Sequence, residues 1–310
     1  MFSAALKKSV IQTLTFFDLG NFPLTKEELY GYLWHSPFIQ AKDFFEVLDT
    51  DTDIAIRDGF YSLPGREEII EARRRSLLWS EKKMLKARRA ARLIASVPFL
   101  RAVFVCNSVA FEQAGPDGDI DFFIVAAPGR IWLVRFFTNL MLRLLGWRTF
   151  GRHRRDRICL SFIITENHLD LSPLRATEED IYLAYWLATL LPLYDPQNLG
   201  AKIWAANKWA RDFLPNFKLP GAYIGRVEIT RPEKFWQSAW QTMWQGAYGE
   251  LLENQVKKIM LSRLPAKLKD LTADPAHKVV LSDEILKFHE NDRRLEFFRQ
   301  WRGKLITLGY

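Results

Sequence analysis

The sequence predicts an α+β protein, with a helical unit closed by a hairpin at residues 1–65, a long basic connecting helix at 66–97, a small mixed-sheet α/β domain at 98–174 and a helical C-terminal domain at 175–310. Three observations lead there. Helix-spaced apolar residues over the first fifty positions give way to a hairpin pattern, apolar strands alternate with helices between 98 and 165, and beyond 175 the long segments keep helical spacing. At 310 residues and 48% hydrophobic content the chain can bury a sizeable core.

In the first unit, AALKKSVIQTLTFFD (4–18) has a helical apolar pattern. FPLTKEELYGYLW then offers Thr25 as an N-cap with Glu28 three residues on, a capping box that opens a second helix. FIQAKDFFEVL (38–48) is a third helix, and DTDIAIRDGFYSLPG reads as a hairpin in which IAI and FYSL are joined by Arg57, Asp58 and Gly59. This layout over residues 1–65 resembles a winged helix. A winged helix that binds DNA needs basic and polar residues on the outer face of its third helix, whereas here Gln40 and Lys42 stand against Asp43 and Glu46. A packing or protein-binding role is the alternative.

The net charge of +8 suggests a polyanionic partner, nucleic acid among the possibilities. Basic residues crowd between Arg73 and Arg92, and again at Arg152, Arg154, Arg155 and Arg157. Either cluster can contact phosphates. For the first the alternative is a solvated helix face, since Ile69, Ile70, Leu77, Leu78, Met84 and Leu85 recur near helical spacing. Cys106 and Cys159 lie in apolar runs, which fits reduced core thiols better than a disulfide or a metal site. No run approaches the roughly 18 apolar residues of a membrane span, and MFSAALKKSV has lysines where a signal peptide needs apolar residues, so the expected location is cytoplasmic, with no membrane partner.

After Pro98 the pattern changes. FLRAVFVC is a buried strand, NSVAFEQAG a turn and short helix, PDGD a turn and IDFFIVA a second strand. GRIWLVRFFTNLMLRLLG is then helical, ICLSFIIT a third strand, and ENHLDLS a possible hairpin return. Asp119 and Asp121 alternate at the mouth of IDFFIVA, so both project to one face about 7 Å apart at Cα, close enough to share divalent metals. Carboxylates at the mouth of an apolar strand are costly unless something compensates them. Two Mg²⁺ ions about 4 Å apart can clamp a nucleoside triphosphate. The strand end at Asn107–Ser108 leads into a helix whose free N–H groups suit a phosphate. The alternating Asp49, Asp51 and Asp53 fit a solvated turn instead.

At these residues the chain resembles the nucleotidyltransferase superfamily of DNA polymerase beta and the kanamycin nucleotidyltransferases: an apolar strand ending in a small turn (VFVC-NS), a helix, then acid-apolar-acid-apolar (DIDF), with eleven positions from Ser108 to Asp119. The resemblance implies Mg²⁺ as cofactor, held by Asp119 and Asp121, with Asn107 and Ser108 beside the triphosphate of an NTP substrate. It implies transfer of a nucleoside monophosphate to a hydroxyl of a small molecule, a protein or an RNA end. The wider layout is similar to bacterial nucleotidyltransferase-domain proteins with a winged-helix-like segment ahead of the domain. Two positions depart from the pattern: Asn107 replaces a glycine, and ICLSFIIT carries no third carboxylate. Glu166 is the expected substitute for that third carboxylate, which serves as metal ligand or general base, with Asp170 and Asp156 as alternatives, and Arg130 or Arg135 is a candidate phosphate ligand. Without a third carboxylate the other reading is a weak or inactive member that binds nucleic acid or protein as a regulator.

In the C-terminal part, segments 178–195, 201–215, 235–264 and 283–305 all show helical spacing. Trp204, Trp209, Trp236, Trp240 and Trp244 fall near that spacing, which favours a packed core over base stacking. His168, His277 and His289 are isolated and carry no catalytic expectation.

Overall fold

In the computed structural model, which describes residues 3–48, 53–151, 153–219, 225–273, 279–289 and 292–310, the chain builds a three-stranded and a six-stranded sheet with helices around them. The protein is mixed α and β, in the α+β class the sequence predicts.

The first helix, α1 (Ala4–Asp18), starts where the Ser3 hydroxyl accepts from the Leu6 N–H. It buries Leu6, Val10, Leu14 and Phe17. Thr25 and Glu28 form the capping box at the start of α2 (Lys26–Gly31): the Glu28 N–H donates to the Thr25 hydroxyl at 3.3 Å, and the Thr25 N–H to the Glu28 carboxylate at 2.8 Å. α3 (Ala41–Leu48) follows. The strands β1 (Leu24–Thr25), β2 (Ala55–Arg57) and β3 (Phe60–Ser62) pair antiparallel in the order β1-β3-β2. Asp49 and Asp51 lie outside the described residues.

α4 (Ile69–Ile94) is the basic helix, and its charges are not all solvated. Arg73 turns inward to the Glu28 carboxylate at 2.6 Å, and Lys83, fully buried, reaches Asp156 at 2.6 Å and the Gly118 carbonyl at 2.7 Å. These pairs fasten the helix to the first unit near its start and, at its middle, to the turns around Gly118 and Asp156. Leu77, Leu78 and Leu85, which read as core positions, are exposed instead.

β4 (Leu100–Cys106) pairs antiparallel with β5 (Ile120–Ala126) after the single turn α5 (Asn107–Ala110). α6 (Ile131–Leu144) crosses over to β6 (Ile158–Thr165), parallel to β5. Apolar residues point alternately to two cores, with Phe104, Phe123, Val125 and Phe162 on one face and Val105, Phe122, Ile124 and Leu160 on the other.

Residues 166–172 do not return as a hairpin; they form turns that lead into a short 3₁₀ segment. The C-terminal region is also not purely helical. After α7 (Ile181–Ala188) the strand β7 (Leu191–Tyr194) adds to β4. α8 (Leu199–Ala206), α9 (Lys208–Phe213), α10 (Arg231–Met243), α11 (Gly246–Ser262) and α12 (Ala266–Asp270) then precede β8 (Val279–Leu281) and β9 (Ile285–Phe288). β9 pairs antiparallel with β6, which completes the order β7-β4-β5-β6-β9-β8. The last helix, α13 (Arg294–Thr307), lies against α1, and the Trp301 indole donates to the Gln12 carbonyl at 2.9 Å. One apolar core therefore runs from Leu6 to Leu305. Trp204 and Trp209 pack partly against it, but Trp236 and Trp240 stand exposed on α10, which buries no residue of its own.

Candidate metal and nucleotide site

The register of the three central strands sets one row, Cys106–Asp121–Cys159, at one end of the sheet. β4 stops there because Asn107 adopts φ 56°, a left-handed conformation that asparagine accepts at less cost than most residues. The turn that glycine would allow is therefore kept by asparagine. Asn107→Ile is expected to be about 1–2 kcal/mol less stable than Asn107→Gly, because a β-branched side chain is strained at positive φ and both variants lose the hydrogen bond with Asp121; urea denaturation of the two variants checks this. The helix that begins here is only four residues long. Ser108 sits half-buried on its first turn, and a single turn offers little macrodipole.

Asp119 lies immediately before β5 and Asp121 is its second residue. One oxygen of each and the Cys159 sulfur lie within 4.8 Å of one another. Burial and the Asp119 charge push the Asp121 carboxyl up to about 6, opposed by hydrogen bonds with Asn107 and Cys159. Burial, together with Asp121, pushes the Cys159 thiol up to about 12. Two crowded carboxylates of this kind fit a divalent cation, which would relieve their repulsion. A hard ion such as Mg²⁺ prefers the two carboxylates, and a thiol at the third corner suits a softer ion.

The other expected residues are elsewhere. Glu166 follows the opposite end of β6: its N–H donates to the Ala126 carbonyl at 3.0 Å and its carboxylate lies 3.5 Å from Arg101, about 20 Å along the strands from Asp121. It is not part of this site, because the parallel register of β5 and β6 carries position 166 away from it. Arg130 is at the same far end, over the Phe99 ring and donating to the Trp244 carbonyl at 3.3 Å. Asp170 accepts from the N–H and hydroxyl of Ser172, and Asp156 is held by Lys83. Of the basic cluster, Arg155 pairs with Asp117 and Asp156 at 3.9 Å, Arg154 is exposed, and Arg152 lies outside the described residues.

Two cavities flank the row. One, of 380 Å³, is lined by Asn107, Phe162, Tyr182, Trp186, His289 and Arg293, among others. Burial pushes Tyr182 up to about 12, and burial with the Lys287 charge holds His289 down to about 4, so both face the cavity neutral near pH 7. The His289 ring stands 3.2 Å from the Ser161 hydroxyl. The other, of 530 Å³, borders Cys159 from the edge of β6.

Cys159, Tyr182, Trp186 and His289 carry no local signal of function in the sequence. Cys159 could have been found by aligning β5 and β6 as parallel neighbours, since it follows the start of its strand by one residue just as Asp121 does. His277 lies outside the described residues.

No protein-family model, curated protein or solved structure matches this chain.

Proposed function

We propose that the protein is a Mg²⁺-dependent nucleotidyltransferase that moves a nucleoside monophosphate from an NTP to a hydroxyl acceptor. The observation that carries this reading is the meeting of Asp119 and Asp121 at a tight Asn107 turn beside a cavity with aromatic walls. Bound metal would neutralise the triphosphate and the leaving pyrophosphate. Asp119 and Asp121 hold it, and the hydrogen bond with Asn107 orients Asp121. Phe162 and Trp186 offer faces on which a base can stack, as aromatic side chains do in many nucleotide sites. In the transfer, the acceptor oxygen bonds the α-phosphorus, the bond to pyrophosphate breaks, and the hydroxyl proton passes to solvent or to a carboxylate of the pair.

The first unit, with its three helices and small antiparallel sheet, is read as winged-helix-like. The outer face of α3 spends Lys42 on Glu46, an arrangement that favours packing or protein contact over DNA.

A thiol in place of a third carboxylate favours a second reading, in which the site binds nucleotide and turns over slowly or not at all. Calorimetric titration with non-hydrolysable NTPs, with and without Mg²⁺, tests the first requirement of both. Mg²⁺-dependent binding is expected for the wild type, weakened by roughly 100-fold or more in Asp119→Ala/Asp121→Ala. A wild-type chain that binds no nucleotide under any metal condition overturns the proposal. Pyrophosphate release with candidate acceptors then separates enzyme from binder.

A further inference from the structure

β9 covers β6 only from Phe162 to Ile164, so Cys159, Leu160 and Ser161 border the 530 Å³ cavity between the sheet edge, α6 and the α11–α12 corner. Four arginines line it: Arg135 and Arg143, two turns apart on α6, Arg148 just beyond that helix, and Arg263 at the end of α11. Among the described residues no aspartate or glutamate lines this cavity or pairs with any of the four, whereas Arg66, Arg73, Arg74, Arg293 and Arg294 each have a carboxylate partner.

The partners that position these guanidinium groups are neutral. Arg148 donates from Nε to the Asn139 side-chain oxygen at 2.7 Å and from Nη1 to the Ile158 carbonyl at 3.1 Å. Arg135 donates to the Leu160 carbonyl at 3.1 Å, with its guanidinium 3.8 Å from the centre of the Phe288 ring. Such contacts aim the groups without neutralising them. Burial pulls Arg135 down to about 9, and the neighbouring Arg148 and Arg143 charges add to that. Positive charge gathered in a recess that no carboxylate lines is costly unless an anion enters.

We infer that this cavity binds the phosphate of a phosphorylated substrate. Guanidinium groups bind phosphate through paired hydrogen bonds, and several of them around one recess suit a dianion better than a carboxylate. The recess is larger than a phosphate alone requires, and Phe136, Leu140, Ile259 and Met260 supply an apolar wall for the body of the ligand. Cys159 borders this cavity and also belongs to the Asp119–Asp121 cluster, so the phosphate lies next to the metal row. This rests on the nucleotidyltransferase reading only for the owner of the phosphate, which is either the acceptor or the nucleotide's own polyphosphate.

The test is titration of the full chain with inorganic pyrophosphate in EDTA, followed by calorimetry. Wild type is expected to bind, Arg143→Ala/Arg263→Ala to bind roughly tenfold or more weakly, and Asp119→Asn to bind at least as well as wild type. Arg143 and Arg263 are exposed, so their removal leaves the packing intact. No binding by wild type, or undiminished binding by the double arginine variant, overturns the inference. A repeat with saturating Mg²⁺ and a non-hydrolysable nucleotide separates the two owners: simultaneous binding assigns the phosphate to the acceptor, and displacement assigns it to the nucleotide. If the nucleotide does not bind at all, the nucleotidyltransferase reading fails while the metal-free pyrophosphate result stands.

Discussion

Asp121→Asn is expected to raise the stability of the metal-free protein at neutral pH while removing its affinity for a divalent ion. Burial and the Asp119 charge lift the Asp121 carboxyl from its usual 3.8 to about 6, so ionising it in the folded chain costs about 3 kcal/mol more than in the unfolded chain. A carboxyl with a raised folded pKa favours the folded state fully below the unfolded value, and that contribution is lost as pH rises through the folded one. Wild-type stability therefore falls between about pH 4 and pH 6 on account of this group and levels off above. Asparagine removes the charge and keeps a side chain able to hydrogen-bond with Asn107, so the advantage of the variant is small at pH 4 and full above pH 6.

Denaturation in EDTA across that range checks the first half, and parallel pH profiles for the two proteins would sink it. Saturating metal reverses the ranking, because only the wild type gains binding free energy. A carboxylate kept at a position where an amide is more stable is what a metal site requires, since the ion supplies the compensation that the protein alone lacks.

What the sequence carries is the local part of this site. Thr25 and Glu28 announce α2 because a capping box is complete within four residues. The apolar runs at 100–106, 120–126 and 158–165 are strands because each is short, continuous and bounded by turn residues. Asp119 and Asp121 converge because alternation along one strand fixes their faces. The missing part is long-range. β9 takes the edge of β6 from 121 to 125 positions away, and four residues within a segment of helical spacing hold too little pattern to reveal it. Glu166 looked available because it adjoins the third strand, and only the parallel register shows it at the wrong end. Trp236 and Trp240 keep helical spacing but stand exposed among the described residues, so periodicity gave their common side but not what that side meets.

Arg294→Met is expected to destabilise the protein by roughly 3–5 kcal/mol, the largest loss from any single site considered, because it strips the buried Asp180 of its ion pair with Arg294 and leaves the buried Asp292 with Lys287 alone. Arg294 pairs with Asp180 at 2.9 Å and with Asp292 at 2.9 Å, and it also donates to the Leu174 carbonyl at 2.7 Å; Lys287 reaches Asp292 at 2.7 Å. Asp180 in turn caps α7 by accepting from the Leu183 N–H at 2.9 Å, and α7 carries Tyr182 and Trp186 into the aromatic cavity. Burial raises the Asp292 carboxyl, but the hydrogen bond from Arg294 and the charge of Lys287 outweigh it and hold the group well below the usual carboxylate range. A group depressed in this way stabilises the fold above its unfolded pKa, near 4, and the contribution is lost as pH falls through the lower folded value. Without Arg294 the depression of Asp292 is partly relieved, so the deficit of the variant is largest at pH 6–8 and shrinks near pH 4, where the Asp292 carboxyl takes up a proton. Urea unfolding at pH 7 and pH 4.5 measures both, and a loss under about 1 kcal/mol, or one that does not change with pH, would show that the network carries no weight. Nucleotide affinity should fall in this variant even at temperatures where it is fully folded, since the cap that sets α7 has lost its anchor. That separates it from Asp121→Asn, which is expected to weaken divalent-ion binding and to keep the cavity.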